Sequence, residues 1–193
     1  MVFVFLIGLY FRLYGLRQNY SFWVDEASTA RYGRAVLENK IPTIQITGFS
    51  EKSYYVTHYL TGYFFKIFGM NEFAARLPEV IFGSLVVLAT YFLGKELFGK
   101  QIGFASCLFI AFSYIQIAWS RQARGYVILD FFFLLILRFL YRFTKYIKIK
   151  DFILFILFLA LSIFTHPLGF VLFPISFIFL LRKKTKVYFF YQK

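Results

Sequence analysis

The chain has 193 residues, of which 60% are hydrophobic, 24% are aromatic and 16% are charged, and its formal net charge is +13. Long apolar blocks recur along the whole length, which is typical of a polytopic membrane protein. The positive charges lie in short gaps between these blocks, as in cytoplasmic loops, so they do not indicate a nucleic-acid partner. The single cysteine, Cys107, excludes an intrachain disulfide.

The first 16 residues predict a short first membrane span. Residues 1–11 are apolar, but a helix needs roughly 20 residues to cross about 30 Å of hydrocarbon. Extending the segment to Leu16, with Arg12 reaching to the membrane interface, gives a marginal span. We therefore expect the natural N-terminus to lie further upstream, and the whole of 1–193 to be the N-terminal transmembrane part of a longer protein.

The next segment, about 17–76, is polar enough to form an extracytoplasmic loop. It predicts two helices that lie along the membrane surface. The first runs from Asp25, which can cap a helix N-terminus, to about Glu38. The second covers residues 54–68 and stops at Gly69.

Five further spans are predicted after this loop, at 77–93, 102–119, 126–141 and, divided by the His166-Pro167 pair, in the two halves of 152–181. The segment 142–150 is predicted to be a basic linker. With six spans, the loops 95–100, 138–151 and 182–193 share one side and carry 12 Lys/Arg against two acids. The positive-inside rule makes that side cytoplasmic. The predicted fold class is all-α, a polytopic membrane bundle of about six transmembrane helices.

This topology brings ionisable residues from four places in the chain to one membrane depth on the extracytoplasmic side. They are Asp25, Glu26, Glu51, Lys52, Arg121, Arg124, Asp130 and His166. Asp130 is the acid that we place inside a span, and an intramembrane acid is a functional candidate by default.

Each candidate also has a structural interpretation. Asp25 can act only as a helix cap, and Glu51-Lys52 can be a solvated loop pair. The two loop arginines, Arg121 and Arg124, can reach out to lipid phosphates. Asp130 can form a structural ion pair with Arg124. His166, at the predicted helix break, can cap exposed backbone groups.

The motifs and their order resemble a known family. The motifs are Asp25-Glu26-x-x-x-Ala30-x-x-x-Arg34, Glu51-Lys52, Gly69-x-x-Glu72-Phe73-x-x-Arg76-Leu77, Ser120-Arg121-Gln122-Ala123-Arg124-Gly125-Tyr126, Asp130 and Thr165-His166. This set is similar to the N-terminal half of GT-C integral-membrane glycosyltransferases, in the branch of protein O-mannosyltransferases and lipid A aminoarabinose transferases. Two positions depart from the family pattern, because Ser53 stands where a proline is usual and His166 where a lysine often stands.

The resemblance implies an inverting transfer of sugar from a polyprenyl phosphate to a hydroxyl of an acceptor protein or glycolipid. It also implies a prokaryotic plasma membrane with the active site on the extracytoplasmic face. Asp25 matches the general base, which takes the proton of the attacking hydroxyl. Glu26 lies beside Asp25, and Asp130 would orient the acceptor or hold an arginine.

The remaining family-matched residues concern the donor phosphate and a metal. Lys52, Arg121 and Arg124 would stabilise the charge that develops on the departing lipid phosphate. Glu51 matches a position that binds a divalent metal ion in some relatives, with His166 as a second ligand. Two ligands are too few to predict a metal from sequence.

Two other functions stay open from the sequence. A transporter or lipid flippase would use the same charges as a translocation path, and it predicts acids and bases along several spans. A non-catalytic, truncated membrane protein predicts that Asp25→Ala has no effect.

Overall fold

The computed structural model describes residues 1–39, 41–44, 49–50 and 54–178, and within these ranges the chain is almost wholly helical. The described extended structure is one short antiparallel pair, β1 (Thr43–Ile44) and β2 (Phe49–Ser50). The predicted all-α class is thus confirmed.

The helices follow one another with short connections. In chain order they are α1 (Val2–Leu13), α2 (Val24–Asn39), α3 (Tyr55–Phe68), α4 (Glu72–Phe98), α5 (Lys100–Phe112), α6 (Tyr114–Trp119), α7 (Tyr126–Tyr146), α8 (Ile149–Ile163) and α9 (Gly169–Ile178). A 3-10 turn, Leu16–Gln18, lies between α1 and α2.

The two helices predicted in the first loop are confirmed as α2 and α3. Helix α3 ends at Gly69, as predicted. Helix α2 begins one residue before Asp25, so Asp25 lies in the first helical turn and is not the cap. Glu26 does part of the capping instead, because its Oε2 accepts a hydrogen bond of 3.3 Å from the Trp23 backbone N–H.

Helix α4 is the central element of the fold. It begins behind Asn71, whose side chain accepts a 2.8 Å bond from the Ala74 N–H, and it runs for 27 residues. By length and composition, α4 is the one helix in the described part of the chain that could cross a membrane alone. The six-span arrangement therefore stays a prediction.

Two sequence predictions about helix boundaries are wrong. The single helix expected over 102–119 is broken at Ser113, whose backbone is extended and whose hydroxyl accepts a bond from the Gln116 N–H that starts α6. The basic linker expected over 142–150 is largely helical, because α7 continues to Tyr146 and α8 starts at Ile149.

The described contacts fix the relative directions of the helices. The start of α7 lies beside Glu79 near the start of α4, and Arg138 of α7 contacts Glu96 near the end of α4, so these two helices run parallel. Helix α5 returns antiparallel to α4, with Val87 and Cys107 in one buried cluster. These directions agree with the alternation that the sequence predicts.

The predicted cytoplasmic end of the bundle carries its own charge cluster. Glu96 Oε1 accepts bonds from Arg138 (2.7 Å) and Arg142 (3.2 Å), and Arg142 also donates to Asp151 (3.0 Å). This cluster joins α4, α7 and α8, and it lies at the opposite end of the bundle from Asp25.

Candidate active site

A polar cavity of about 120 Å³ lies where α2, α3, the start of α7 and the α8–α9 break meet. Three of the predicted site residues line it together: Asp25, Arg124 and His166. Tyr54 and His58, from the start of α3, complete this side of the cavity. The predicted residues Glu51 and Lys52 lie outside the described residues.

Asp25 and Arg124 form an ion pair at the mouth of the cavity. The Asp25 side chain is 61% exposed, whereas Arg124 is 15% exposed. The Arg124 guanidinium lies between two aromatic rings, 5.3 Å from the Trp119 centroid and 5.2 Å from that of Tyr126. Its buried Nε has no hydrogen-bond partner among the described residues, which leaves a donor for an anionic ligand.

The loop that carries Arg124 is held by two buried carboxylates from different helices. Glu26 of α2 accepts a 2.9 Å bond from the Ala123 N–H. Glu79 of α4 accepts bonds from the Gly125 N–H (2.7 Å) and the Val127 N–H (3.2 Å), so it caps the N-terminus of α7.

Gly125 is required at the turn from this loop into α7. Its φ is +78°, a left-handed conformation that side chains with a Cβ rarely adopt. A Cβ at this position would also lie 2.7 Å from the Thr57 Oγ1. The turn therefore brings α7 close to the start of α3, which faces the cavity.

Glu26 is buried behind the cavity rather than inside it. Its Oε1 lies 2.8 Å from the Arg76 Nε, and both side chains are almost completely buried. Arg76 also donates to the Tyr20 carbonyl at 2.8 Å and lies 5.1 Å from the Phe22 ring centroid. The described contacts of Glu26 are structural, and its predicted catalytic role stays a prediction.

The two loop arginines point to different partners. Whereas Arg124 faces the cavity, Arg121 donates to the carbonyls of Phe11 (3.3 Å) and Tyr14 (2.5 Å) at the end of α1. Burial and the nearby Arg76 lower the pKa of Arg121. The phosphate-binding role predicted for Arg121 is untested, but its described bonds hold the backbone.

Arg12 is buried, so the prediction that it reaches to the membrane interface is wrong. Its Nε donates to the Ser120 Oγ at 3.1 Å, and its other nitrogens donate to the Gly8 and Ile110 carbonyls. Gly83 makes room for this contact, because a Cβ there would lie 2.2 Å from the Ser120 Oγ and 3.0 Å from the Arg12 Nε. Two backbone carbonyls and the Ser120 hydroxyl thus bind the Arg12 guanidinium, which the sequence predicted to lie at the membrane interface.

Asp130 lies on α7 about one turn after Tyr126, and it does not line the cavity. Its Oδ2 accepts a 2.9 Å bond from the Gln116 side chain of α6. The alternative of an ion pair between Asp130 and Arg124 is therefore not what forms, because Arg124 pairs with Asp25. A role of Asp130 in orienting the acceptor stays a prediction.

His166 lies at the break between α8 and α9, where α3 fixes the backbone. The Val56 N–H bonds to the Phe164 carbonyl (2.9 Å), and the Thr57 hydroxyl bonds to the Thr165 carbonyl (3.1 Å). Burial and the nearby charge of Arg124 lower the pKa of His166.

The contacts of His166 bear on the predicted divalent metal ion. Its Nδ1 accepts a 3.1 Å bond from the Leu168 N–H, and its Nε2 lies 3.5 Å from the Tyr54 hydroxyl. No three His, Cys, Asp or Glu side chains cluster as metal ligands within the residues that the structure describes. The described donors do not fit a metal ion beside the cationic Arg124, and Glu51 lies outside the described residues, so the metal stays a prediction.

Sequence reasoning missed His58 and Glu79 as parts of this region. His58 was visible only as a polar interruption of an apolar segment, and nothing local indicated the cavity beside it. Glu79 carried a clearer signal, because it is a second acid inside a predicted span, like Asp130. The pairing of Glu26 with Arg76 had no local signal, since 50 residues separate the two.

Comparison with known proteins gives a family match and a similar protein. The family model of the dolichyl-phosphate-mannose-protein mannosyltransferases matches residues 53–191, a range that includes Arg124, Asp130 and His166. An uncharacterized protein from Aquifex aeolicus (strain VF5) is 31% identical over 121 residues, which are 61% of this chain and 24% of that protein. The chain thus spans about a quarter of the length of that curated relative.

No solved structure matches the chain. The family match nevertheless covers well over half of its residues. Proteins of this family are integral membrane proteins with glycosyltransferase activity. The chain belongs to the dolichyl-phosphate-mannose-protein mannosyltransferase family.

Proposed function

We propose that the protein transfers a sugar, with inversion, from a polyprenyl-phosphate donor to an acceptor hydroxyl on the extracytoplasmic side of a membrane. The observation that carries the proposal is the ion pair of Asp25 and Arg124 at the mouth of a polar cavity. This pair sets a carboxylate that can take a proton beside a guanidinium that can bind a phosphate. Both groups are needed in a single displacement at the anomeric carbon.

The proposed reaction forms one bond and breaks one bond. The acceptor oxygen attacks the anomeric carbon, and its proton passes to the Asp25 carboxylate. The bond between the anomeric carbon and the phosphate oxygen breaks, and polyprenyl phosphate leaves with the electron pair. Inversion follows from attack on the face opposite to the leaving group.

Arg124 is the residue proposed to stabilise the leaving phosphate. Its guanidinium is held in place by Trp119 and Tyr126, so little side-chain entropy is lost when it binds an anion. Its free Nε–H adds a donor beyond the bond to Asp25. Lys52 is proposed as a second phosphate contact because it matches the family motif.

A transporter remains the competing function, and the buried charges speak against it. Glu79, an acid inside a predicted span, is bound to two backbone N–H groups at the start of α7, and Arg12 is bound to Ser120 and two carbonyls. These groups are engaged in fixed structural bonds. A translocation path would need groups that are free to exchange partners.

The test is Asp25→Asn in the full-length protein. The substitution keeps the side-chain shape, and Asp25 is mostly exposed, so we expect the fold to survive. An amide cannot accept the proton, and we expect sugar transfer from the labelled polyprenyl-phosphate donor to fall about 10²–10⁴-fold. Donor binding, measured in parallel, should persist.

Glu38→Gln is the matched control, because Glu38 is an exposed carboxylate of α2 that is paired with an arginine, Arg34, but does not line the cavity. It should transfer sugar at close to the wild-type rate. Near-normal transfer by Asp25→Asn would contradict the role of Asp25 as the general base.

A further inference from the structure

His58 is the least explained polar residue beside the cavity. It lies on α3, is 1% exposed and contributes to the cavity lining. Its ring is stacked on Tyr32, with centroids 4.6 Å apart and an angle of 14°, and more loosely on Tyr54 at 5.8 Å. These two tyrosines hold the imidazole in one orientation.

The Nδ1 atom of this ring is buried and has no hydrogen-bond partner among the described residues. Native proteins rarely bury an unsatisfied polar atom, because it loses its bond to water and gains nothing in return. The His58 residue lines the cavity, so a ligand held there is the natural partner of its ring. Burial also lowers the pKa of His58 to about 4, so the ring is neutral near pH 7 and carries one donor and one acceptor nitrogen.

The chemistry of the cavity divides into two parts. Arg124, at the mouth, is suited to an anion. His58 is neutral and offers both a lone pair and an N–H; a phosphate oxygen can use only the N–H, whereas a hydroxyl can use either. The cavity, at about 120 Å³, is larger than a single water needs.

Aromatic rings also line the cavity. The Tyr126 ring lies 4.5 Å from that of His166, and the Tyr54 ring lies 5.1 Å from it. A group that combines hydroxyls with a C–H face fits such a mixture of rings and hydrogen-bonding atoms. The ring of a neutral sugar has this character.

We propose that His58 is a specificity-determining residue that hydrogen-bonds one hydroxyl of the sugar ring held in this cavity. The inference rests on the proposed transfer function and adds to it a residue that reads the sugar rather than the phosphate. Because a buried partner is left unsatisfied when the hydroxyl is missing, the site should discriminate against a sugar that lacks it.

The experiment combines an enzyme variant with altered donors. Wild type and His58→Phe, in the full-length protein, are assayed with the parent polyprenyl-phosphate sugar and with its monodeoxy analogues. Phe keeps the stacking on Tyr32 but removes both nitrogens. Thr61→Val is the matched control, because Thr61 lies one turn further along α3, is equally buried and bonds only to the Thr57 carbonyl among the described residues.

We expect wild type and Thr61→Val to lose about 10- to 100-fold in kcat/KM with one of the monodeoxy donors, the size of effect that one buried hydrogen bond produces. His58→Phe should lose a similar factor with the parent donor and show no further loss with that analogue. A His58→Phe protein that discriminates among the analogues as wild type does would overturn the inference.

Two additional measurements separate the possible failures. Asn retains hydrogen-bonding atoms near the position of Nδ1, so His58→Asn should restore part of the discrimination. The Asn variant also replaces the Phe variant if the Phe variant does not fold.

Equilibrium binding of the sugar-linked donor is compared with binding of polyprenyl phosphate alone. His58→Phe should weaken only the former, and equal weakening of both would overturn the inference.

If wild type binds the sugar donor with this dependence on His58 but transfers nothing, the proposed function fails and the sugar contact stands. If wild type transfers sugar while His58→Phe behaves as wild type throughout, the sugar contact fails and the proposed function stands.

Discussion

Glu26 and Arg76 form a buried ion pair with an Oε1–Nε distance of 2.8 Å, and their side chains are 1% and 2% exposed. The pair joins α2 to α4 directly behind the loop that carries Arg124. Its neighbour in sequence, Asp25, points out to the cavity mouth instead. Adjacent carboxylates thus serve different purposes, because helical geometry turns them to different faces.

The buried pair predicts a large effect of Glu26→Gln on stability. Glu26→Gln leaves the buried Arg76 charge with only the longer contact to the half-exposed Glu72, at 3.4 Å, and breaking a buried ion pair typically costs about 3–5 kcal/mol. We expect the thermal unfolding midpoint of the detergent-solubilised protein to fall clearly. Glu38→Gln, in the exposed ion pair of Glu38 with Arg34, should change the unfolding midpoint little. Equal midpoints for the two variants would contradict this assignment.

The orientation of the loop arginines predicts unequal effects on lipid-phosphate binding. Arg124→Ala should weaken binding of polyprenyl phosphate about 10- to 100-fold, because it removes a charge-assisted contact in the cavity. Arg121→Ala should act mainly on stability, since its described bonds go to carbonyls at the end of α1. Binding and unfolding are measured on the same preparations, and equal loss of binding in both variants would point to general attraction for anionic lipid.

Burial of His58 predicts a pH dependence of stability. The unfolded chain takes up a proton near pH 6.5, whereas the folded protein does so only near pH 4. The stabilisation is therefore complete above about pH 6.5 and is lost as the pH falls towards 4, by about 3 kcal/mol in total.

The measurement is the unfolding midpoint of wild type and His58→Phe between pH 4 and 8. Carboxylates titrate alike in both proteins, so the difference between the two curves isolates His58. We expect this difference to change steadily between pH 6.5 and 4 and to be flat above that range. A constant difference would show that His58 binds its proton equally well in both states.

The direction of the helices predicts labelling from opposite sides of the membrane. Val24, at the cavity end, and Ile147, at the other end of the bundle, are 85% and 80% exposed. Cysteines placed at these two positions should react with an impermeant reagent from opposite sides of sealed vesicles. Cys107 is buried and provides the unreactive background. Labelling of both positions from one side would contradict the predicted topology and the proposed side of the reaction.

The sequence was sufficient to predict that Asp25, Arg124 and His166 come together. Motif order and the alternation of charged loops place their three segments at one end of the bundle, and the structure brings them to one cavity. The helices of the first loop were equally predictable, since each has a clear polar or glycine boundary. These features depend on the residues at helix boundaries and on the alternating direction of the predicted spans.

The parts that could not be predicted depend on packing between distant segments. Arg12 is buried because Gly83 leaves space for it beside Ser120, a fit among three residues with no local signature. The break at Ser113 falls in an apolar run without proline or glycine beside it. The free Nδ1 of His58 is likewise a property of the assembled helices.

The contacts of the N-terminal helices with the arginine loop have a consequence for biosynthesis. Arg12 is hydrogen-bonded to Ser120, 108 residues further along the chain. Glu26 is hydrogen-bonded to Ala123, 97 residues further along. At about 5–20 residues per second, a ribosome needs roughly 5–20 s to supply these partners after the first helices have emerged. Throughout that delay the early charged groups lack their final neighbours, so the end of the bundle that holds the cavity is completed only after the loop before α7 has been synthesised.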